Sequence, residues 1–463
     1  MKVKRIWWVN GVVASLYFIL GHGAFSIAVS HQNITSVIFA PEGVSLAFAI
    51  LYGRRVWIGV FVGQLLLALS TALPLLIALS ISLSNSLEVI IAAVIFQKIK
   101  ISPELNRIHH LVWLLCIVAL VLQPFSATFG LLPFWLTNRI AEDQLASAWI
   151  YWWYGNSLGQ CLVAPLILSW SQFPWKKTFG NSQFGEVFAI TLLMSIITLI
   201  VFERFPGLKF DHPLSIFAVL FPLFCLGAIR YGMRGATAMS VVTTIIAADS
   251  TAKQLGPFTI GSGLDSIVYL NNFIAGATVT GLTIAAIFSE RKLLLDKLTE
   301  LAYTDSLTCI ANRRAFMEKA QDEFNRCQRF NDDMSIILID VDKFKQINDR
   351  FGHNVGDKAL KSIANLINQS RRSIDTVGRM GGDEFAVIMP KTNSASRQAF
   401  LERLIETFEK TAFIVINNTK VKVTVSIGMA SFRKEDASVE AIIHRADQRM
   451  YQYKNNTAIN ASA

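Results

Sequence analysis

The sequence predicts a multi-span α-helical membrane bundle followed by an α+β soluble domain with a mainly antiparallel sheet. Its 463 residues are 52% hydrophobic with a mean hydropathy of +0.43, too apolar for an ordinary soluble chain. Residues 6–289 hold long, nearly charge-free runs, whereas residues 290–456 carry the charge density of a globular domain. In that second part, β-branched runs alternate with segments of helical spacing. The expected division is a membrane domain over 1–289, a helical connector over 290–304, a soluble domain over 305–458 and a tail over 459–463.

Crossing the hydrocarbon core takes roughly 20 apolar residues, and runs of that kind begin near Ile6, Thr35, Val56, Leu75, Leu111, Ser147, Glu186, Pro213, Gly235 and Val268. This gives about eight to ten spans. Met1 to Arg5 resembles the start of a signal peptide, but no small-residue cleavage site follows, so the first run is expected to stay as a span.

Loops rich in Lys and Arg stay cytoplasmic. Lys2, Lys4 and Arg5, then Arg54 and Arg55, Lys98 and Lys100, Lys176 and Lys177, Arg230 and Arg234, and Arg291 and Lys292 fall on one side with the N-terminus. Glu142, Asp143, Asp211, Asp249 and Asp265 fall on the other. The expectation is a multi-pass protein of a bacterial inner membrane with both termini in the cytoplasm. The net charge of +10 is largely this loop signal, so no nucleic-acid partner is expected. Cys116, Cys161, Cys225, Cys309 and Cys327 form no CxxC or His pairing, which speaks against a disulfide framework or a zinc site.

Polar residues at membrane depth are costly unless paired: His22, Glu42, Gln64, Asn85, Glu88, Asn156, Gln160, Asn271 and Asn272. They either join helices by hydrogen bonds or line a site for a small ligand. In the connector, Ile287, Leu294, Leu298 and Leu301 have heptad spacing, that of a dimeric stalk or of a single amphipathic helix.

The soluble domain opens with Asp305-Ser-Leu-Thr308 and Asn312-Arg-Arg314, a loop into a helix. Ser335 to Asp342 is an apolar strand delivering Asp340 and Asp342 at its end. Phe344 to Phe351 has helical spacing, and Asn354 to Asp357 is read as a break before a second helix ending near Ser370. Thr376 to Met380 and Asp383 to Met389 read as strands around Gly381-Gly382, whose glycines allow positive φ at both central turn positions. A helix near Ser396 to Thr411, strands within Ala412 to Phe432 and a helix from Val439 to Lys454 complete the plan. Asp340 with Asp342, and Asp383 with Glu384, then lie on neighbouring strand ends, a pattern that suits Mg²⁺ or simply a solvated acidic edge.

Two resemblances add to this reading. Ala40-Pro-Glu-Gly43 with Gly53-Arg-Arg55, Trp152-Trp-Tyr-Gly-Asn156 with Gly159 and Ala164-Pro165, and Phe221-Pro222 with Arg230-Tyr-Gly-Met-Arg-Gly235 resemble the membrane-associated sensor domain of the MASE type, over most of residues 8–290. Asp340-Val-Asp-Lys-Phe-Lys-Gln-Ile-Asn-Asp-Arg-Phe-Gly-His-Asn-Val-Gly-Asp357 and Gly378-Arg-Met-Gly-Gly-Asp-Glu-Phe385 closely resemble the GGDEF family of diguanylate cyclases, over about residues 304–454. The first resemblance implies input reception by the membrane half, where a ligand or membrane lipid is expected to act; the second implies a nucleotide-cyclase, palm-like domain that joins two GTP into cyclic di-GMP as a homodimer.

It implies that Asp340, the carbonyl of Val341 and Asp383 hold two Mg²⁺ per active site, and that Asp383 and Lys345 serve catalysis. It assigns Phe344, Asn348, His353, Asp357, Gly381, Gly382 and Lys454 to substrate binding, with Asn348 and Asp357 reading guanine. A carboxylate accepts from the ring N–H and exocyclic amine of guanine, a donor pair that adenine lacks. Arg372 and Asp375 lie at the offset of the family's product-inhibition motif, and Arg403 where a second domain usually contributes an arginine. Cys309-Ile-Ala311 replaces the usual Gly-Leu-Pro, and Ala458 stands where an arginine usually follows Lys454. No EAL-like segment follows, so synthesis without hydrolysis is expected. The alternatives are a catalytically degenerate GGDEF protein that receives GTP or cyclic di-GMP, and a transporter regulated by its soluble domain.

Overall fold

The computed structural model describes residues 2–27, 30–31, 34–35, 38–171, 182–202, 213–253, 255–258, 263–411, 413–416 and 419–460. The chain divides into two units, Met1–Leu293 and Leu294–Ala463.

The first unit is helical apart from a short antiparallel pair, Ser30–His31 with Ile34–Thr35. Four of its described helices are long and apolar enough to cross a membrane: Ile6–Phe25, Leu75–Ile99, Ile108–Leu136 and Asp265–Tyr303. The runs expected near Thr35 and Val56 form Ala40–Tyr52 and Trp57–Ser70, of 13 and 14 residues, shorter than the roughly 20 that span the core. Gly53, at φ 77°, ends the first of these and turns the chain into Arg54–Val56. Pro213–Ala252 is two helices broken at Gly232 (φ 60°, ψ −144°), as the separate runs from Pro213 and Gly235 foresee. Lys176, Lys177 and Asp211 of the loop reading lie outside the described residues.

Small residues let these helices meet. A β-carbon on Gly43 would lie 2.4 Å from the Gly159 carbonyl, and one on Gly159 would lie 2.1 Å from that of Phe39. The two glycine-bearing motifs are thus two sides of one crossing, between Ala40–Tyr52 and Glu142–Ser171. The polar residues are mostly paired across helices. Tyr17 donates to Glu42 (2.6 Å), Asn85 to Tyr17 (2.9 Å), and Gln123 and Gln160 to Glu88 (2.9 and 2.7 Å). Tyr154 donates to Asn272 (2.6 Å), and Ser70 lies 2.9 Å from His22 Nε2. A π-helical turn, Val118–Leu122, interrupts Ile108–Leu136, and the Trp153 indole donates to its Ala119 carbonyl at 2.8 Å.

The second unit is built on a four-stranded antiparallel sheet in the order Thr376–Gly381, Glu384–Pro390, Met334–Val341, Val425–Ser431. The central strand is apolar on both sides because both sides are covered. Ile337, Ile339 and Val341 pack with Ile363, Ile367 and Phe400 of helices His353–Ser370 and Ser394–Thr411. Ile336 and Leu338 pack with Phe316, Phe324 and Ile442 of helices Arg313–Phe330 and Val439–Asn460. A separate hairpin, Phe413–Ile416 with Thr419–Lys422, follows the expected strand region.

Two local expectations shift. The break between the paired helices is at Gly352 (φ 85°, ψ 157°), and Asn354 to Asp357 lie inside the first turns of His353–Ser370. The last helix also runs past Lys454 to Asn460, carrying Ala458 within it. The connector residues continue the last apolar helix, Gly263–Tyr303, and Leu294, Leu298 and Leu301 on it are 55%, 61% and 64% exposed.

Candidate functional site

The strand order brings the two acidic stretches together. Asp340 pairs across the sheet with Glu384, and the Val341 N–H donates to the Asp383 carbonyl at 3.2 Å. The Asp342 carboxylate accepts from the Ser426 hydroxyl at 2.6 Å, and Asp340, Asp383 and Glu384 make up the rest of the acidic edge. Partial enclosure holds the Glu384 carboxyl above its ordinary value, and repulsion from Asp340, Asp383 and Asp447 adds to it. Asp447, on the last helix, carries no signal of this in the sequence; only the packing of that helix brings it near.

Among the described residues no three His, Cys, Asp or Glu side chains form a ready metal cluster. The set expected from the sequence is two carboxylates and a backbone carbonyl, all hard oxygen donors of the kind Mg²⁺ takes. Charge at this edge is partly met by Lys454, whose ammonium lies 2.6 Å from Asp340 Oδ1. That hydrogen bond, with the charges of Asp340, Asp342 and Asp383, raises the lysine above its ordinary value.

The glycine turn is braced from outside the motif. Gly381 and Gly382 both have positive φ, 158° and 47°, the second in the left-handed region. The Arg379 guanidinium donates to the Gly382 carbonyl at 3.0 and 2.6 Å and pairs with Asp305 at 3.2 Å. Thr308 donates to the same Asp305 through its hydroxyl (2.6 Å) and its N–H (2.9 Å). Burial pushes the Asp305 carboxyl up, but Thr308 and Arg379 together outweigh it and hold it below its ordinary value. Asp305-Ser-Leu-Thr308 therefore anchors the turn at long range, a role that sequence spacing alone does not reveal.

Phe344, Lys345 and Asn348 share the helix Phe344–Phe351, and His353 and Asp357 start the next. Lys345, His353 and Asp357 are exposed. The two helices meet at Gly356, where a β-carbon would lie 1.9 Å from Asn348 Oδ1 and 3.1 Å from the Phe344 ring. Glycine there makes room for the Asn348 amide. Asn348 Oδ1 is buried with no hydrogen-bond partner among the described residues, an acceptor in want of a donor.

The Arg372 to Asp375 turn forms a second cluster. The Arg372 N–H donates to Asp375 Oδ2 at 2.8 Å, and Asp375 Oδ1 is buried and unpaired among the described residues. Burial raises the Asp375 carboxyl, against the pull of Arg372, Arg371 and Arg403. Arg403 reaches this cluster from helix Ser394–Thr411 of the same chain, donating to the Ser370 carbonyl and stacking over Phe400. Arg371, which donates to the Asp375 carbonyl at 3.0 Å, is an added member.

Residues 302–459 match the family model described as diguanylate cyclase, GGDEF domain, and residues 9–292 match MASE1. The response regulator PleD of Caulobacter vibrioides is 39% identical over 161 residues, 35% of this chain and 36% of that protein. Diguanylate cyclase DgcP of Pseudomonas aeruginosa is 37% identical over 160 residues, 35% of this chain and 24% of that protein. Diguanylate cyclase A of Treponema denticola is 30% identical over 207 residues, 44% of this chain and 54% of that protein. The chain thus spans between about a quarter and about half of the length of these curated relatives.

Proposed function

Because the chain belongs to the MASE1 family and carries a GGDEF domain over residues 302–459, we propose that it is a membrane-bound diguanylate cyclase that condenses two GTP into cyclic di-GMP. The observation that carries this reading is an acidic strand edge of Asp340, Asp383 and Glu384, followed in the chain by a helix whose Asn348 Oδ1 is buried and unpaired. The first suits a metal-bound triphosphate. The second suits the N–H donors of guanine.

Two GTP-loaded domains face each other in a homodimer. Each ribose 3′-oxygen bonds to the opposite α-phosphorus, the α–β phosphoanhydride bond breaks, and pyrophosphate leaves. Asp383 takes the hydroxyl proton, and Lys345 and Lys454 steady phosphate charge. Asp340, the Val341 carbonyl and Asp383 would hold Mg²⁺, two per site, which would neutralise phosphate charge when bound. Arg379 and Asp305 act through the turn, setting where Gly381 and Gly382 approach the nucleotide. The exposed heptad leucines of the connector support a paired stalk. The Arg372, Asp375 and Arg403 cluster supports a feedback site, since arginine forks and an unpaired acceptor match the phosphates and guanines of cyclic di-GMP. The protein is an integral membrane protein; we place both termini in the cytoplasm, beside the GTP pool, with the sensor half in a bacterial inner membrane and open to ligand or lipid state.

Ala458, where the resemblance has an arginine, favours one other reading, a domain that binds GTP without turning it over. Incubating the detergent-solubilised full chain with GTP and Mg²⁺ and separating the products by chromatography decides between them. Cyclic di-GMP, absent with Asp383→Ala, is the expected result. GTP binding with no product would overturn the cyclase.

A further inference from the structure

The membrane unit holds a cavity of about 560 Å³, within the size range of small-molecule sites. Its outer wall comes from residues between helices, Thr71 and Leu73 on one side and Arg139 and Ile140 on the other. These loops are the ones the basic-residue pattern assigns to the face opposite the termini. Its depth is set by Asn85, ten residues along the helix Leu75–Ile99 and so about 15 Å from the start of that helix.

Three features of the lining define an occupant. Arg139 is exposed, and its guanidinium has no ion pair or hydrogen bond among the described residues. Asn85 is 2% exposed and its Oδ1 is unpaired, while its Nδ2 is spent on Tyr17. Tyr151 and Trp152 supply aromatic wall, and the Trp152 ring is fixed by its bond to Ser126 (3.3 Å) and by Gly130, where a β-carbon would lie 2.7 Å from it. Gln64, Asn85 and Asn156, three of the membrane-depth polar residues, all line this one space.

We propose that the cavity binds a small aromatic carboxylate that carries a hydrogen-bond donor at its far end. The carboxylate pairs with Arg139, the ring lies against Trp152, and the donor meets the polar lining of Gln64, Asn85 and Asn156. A lipid tail would use the apolar wall alone and would leave the arginine and the polar lining unmatched. Beyond the cavity floor, Asn85 donates to Tyr17 and Tyr17 to Glu42, so the occupant adjoins a hydrogen-bond chain through three helices.

The test is a binding measurement on the full chain in lipid nanodiscs, independent of any cyclase activity. The probe is 4-hydroxyphenylacetate, and its neutral amide, 4-hydroxyphenylacetamide, is the control. Saturable one-to-one binding is expected, weakened about tenfold or more by Arg139→Gln and largely kept by Arg139→Lys, as loss of a charge-assisted contact requires. The amide should bind more weakly and respond little to Arg139→Gln. Because Arg139 is an exposed loop residue, these variants should fold. No saturable binding to the wild type, or binding equal for acid and amide and unchanged by Arg139→Gln, would overturn the proposal.

Discussion

The Lys454 ammonium sits 2.6 Å from Asp340 Oδ1, pairing the last helix with the end of the central strand. The two residues are 114 positions apart, and we propose that each serves the nucleotide's phosphates or their metal. Lys454→Ala should raise the KM for GTP about tenfold, the scale of one charge-assisted hydrogen bond, and lower kcat less. Steady-state rates across GTP concentration check this; an unchanged KM would remove Lys454 from the site.

Gly356→Ala has two opposed effects. Helix propensity alone favours alanine by up to about 1 kcal/mol. The added carbon, however, would lie 1.9 Å from Asn348 Oδ1, so the amide must move. GTP affinity should fall about tenfold or more while the melting temperature changes little. Asn348→Ala should also narrow the preference for GTP over ATP, read by competition binding.

Asp383→Asn should lower cyclic di-GMP production at least about a hundredfold, whether through the base or through metal binding. Circular dichroism should show the fold retained, since what Asp383 gives the sheet is its main-chain carbonyl, bonded by Val341.

Asp305 is held below its ordinary carboxyl value by Thr308 and Arg379. A depressed acid adds stability that is present above its unfolded value of about 3.9 and is lost as pH falls through the lower folded value. Arg379→Ala should cost about 1.5–3 kcal/mol in urea unfolding of residues 294–463 at neutral pH. It should also flatten the loss of stability below about pH 4. An unchanged acid limb would mean that other carboxylates control it.

Arg372→Ala should raise the cyclic di-GMP concentration needed for half inhibition about tenfold or more, leaving the uninhibited rate unchanged. Initial rates with added product measure this. Inhibition as strong as in the wild type would exclude the Arg372 turn as the feedback site.

Much of the fold and site is legible in the sequence because it is local. An apolar run ending in Asp340 is a strand wherever it packs, and Asn312 caps its helix through a bond to the Ala315 N–H only three residues away. What is not legible depends on distant partners. The bond from Arg379 to Asp305 joins residues 74 positions apart, and Asp447 gains its neighbours only when the last helix docks. The helix break falls earlier than expected because Asn354 to Asp357 only look like turn residues, whereas Gly352 takes the positive φ that ends the first helix.

The π-helical turn at Val118–Leu122 governs angular phase along its span. An extra residue in one turn advances every later side chain by about 100° around the axis. Gln123 and Ser126, both fully buried, and Gly130 owe their inward bearing to that offset. Removing a single residue there would rotate Gln123 away from Glu88 and Ser126 away from Trp152, disconnecting the acidic core of the bundle and one cavity wall in the same motion.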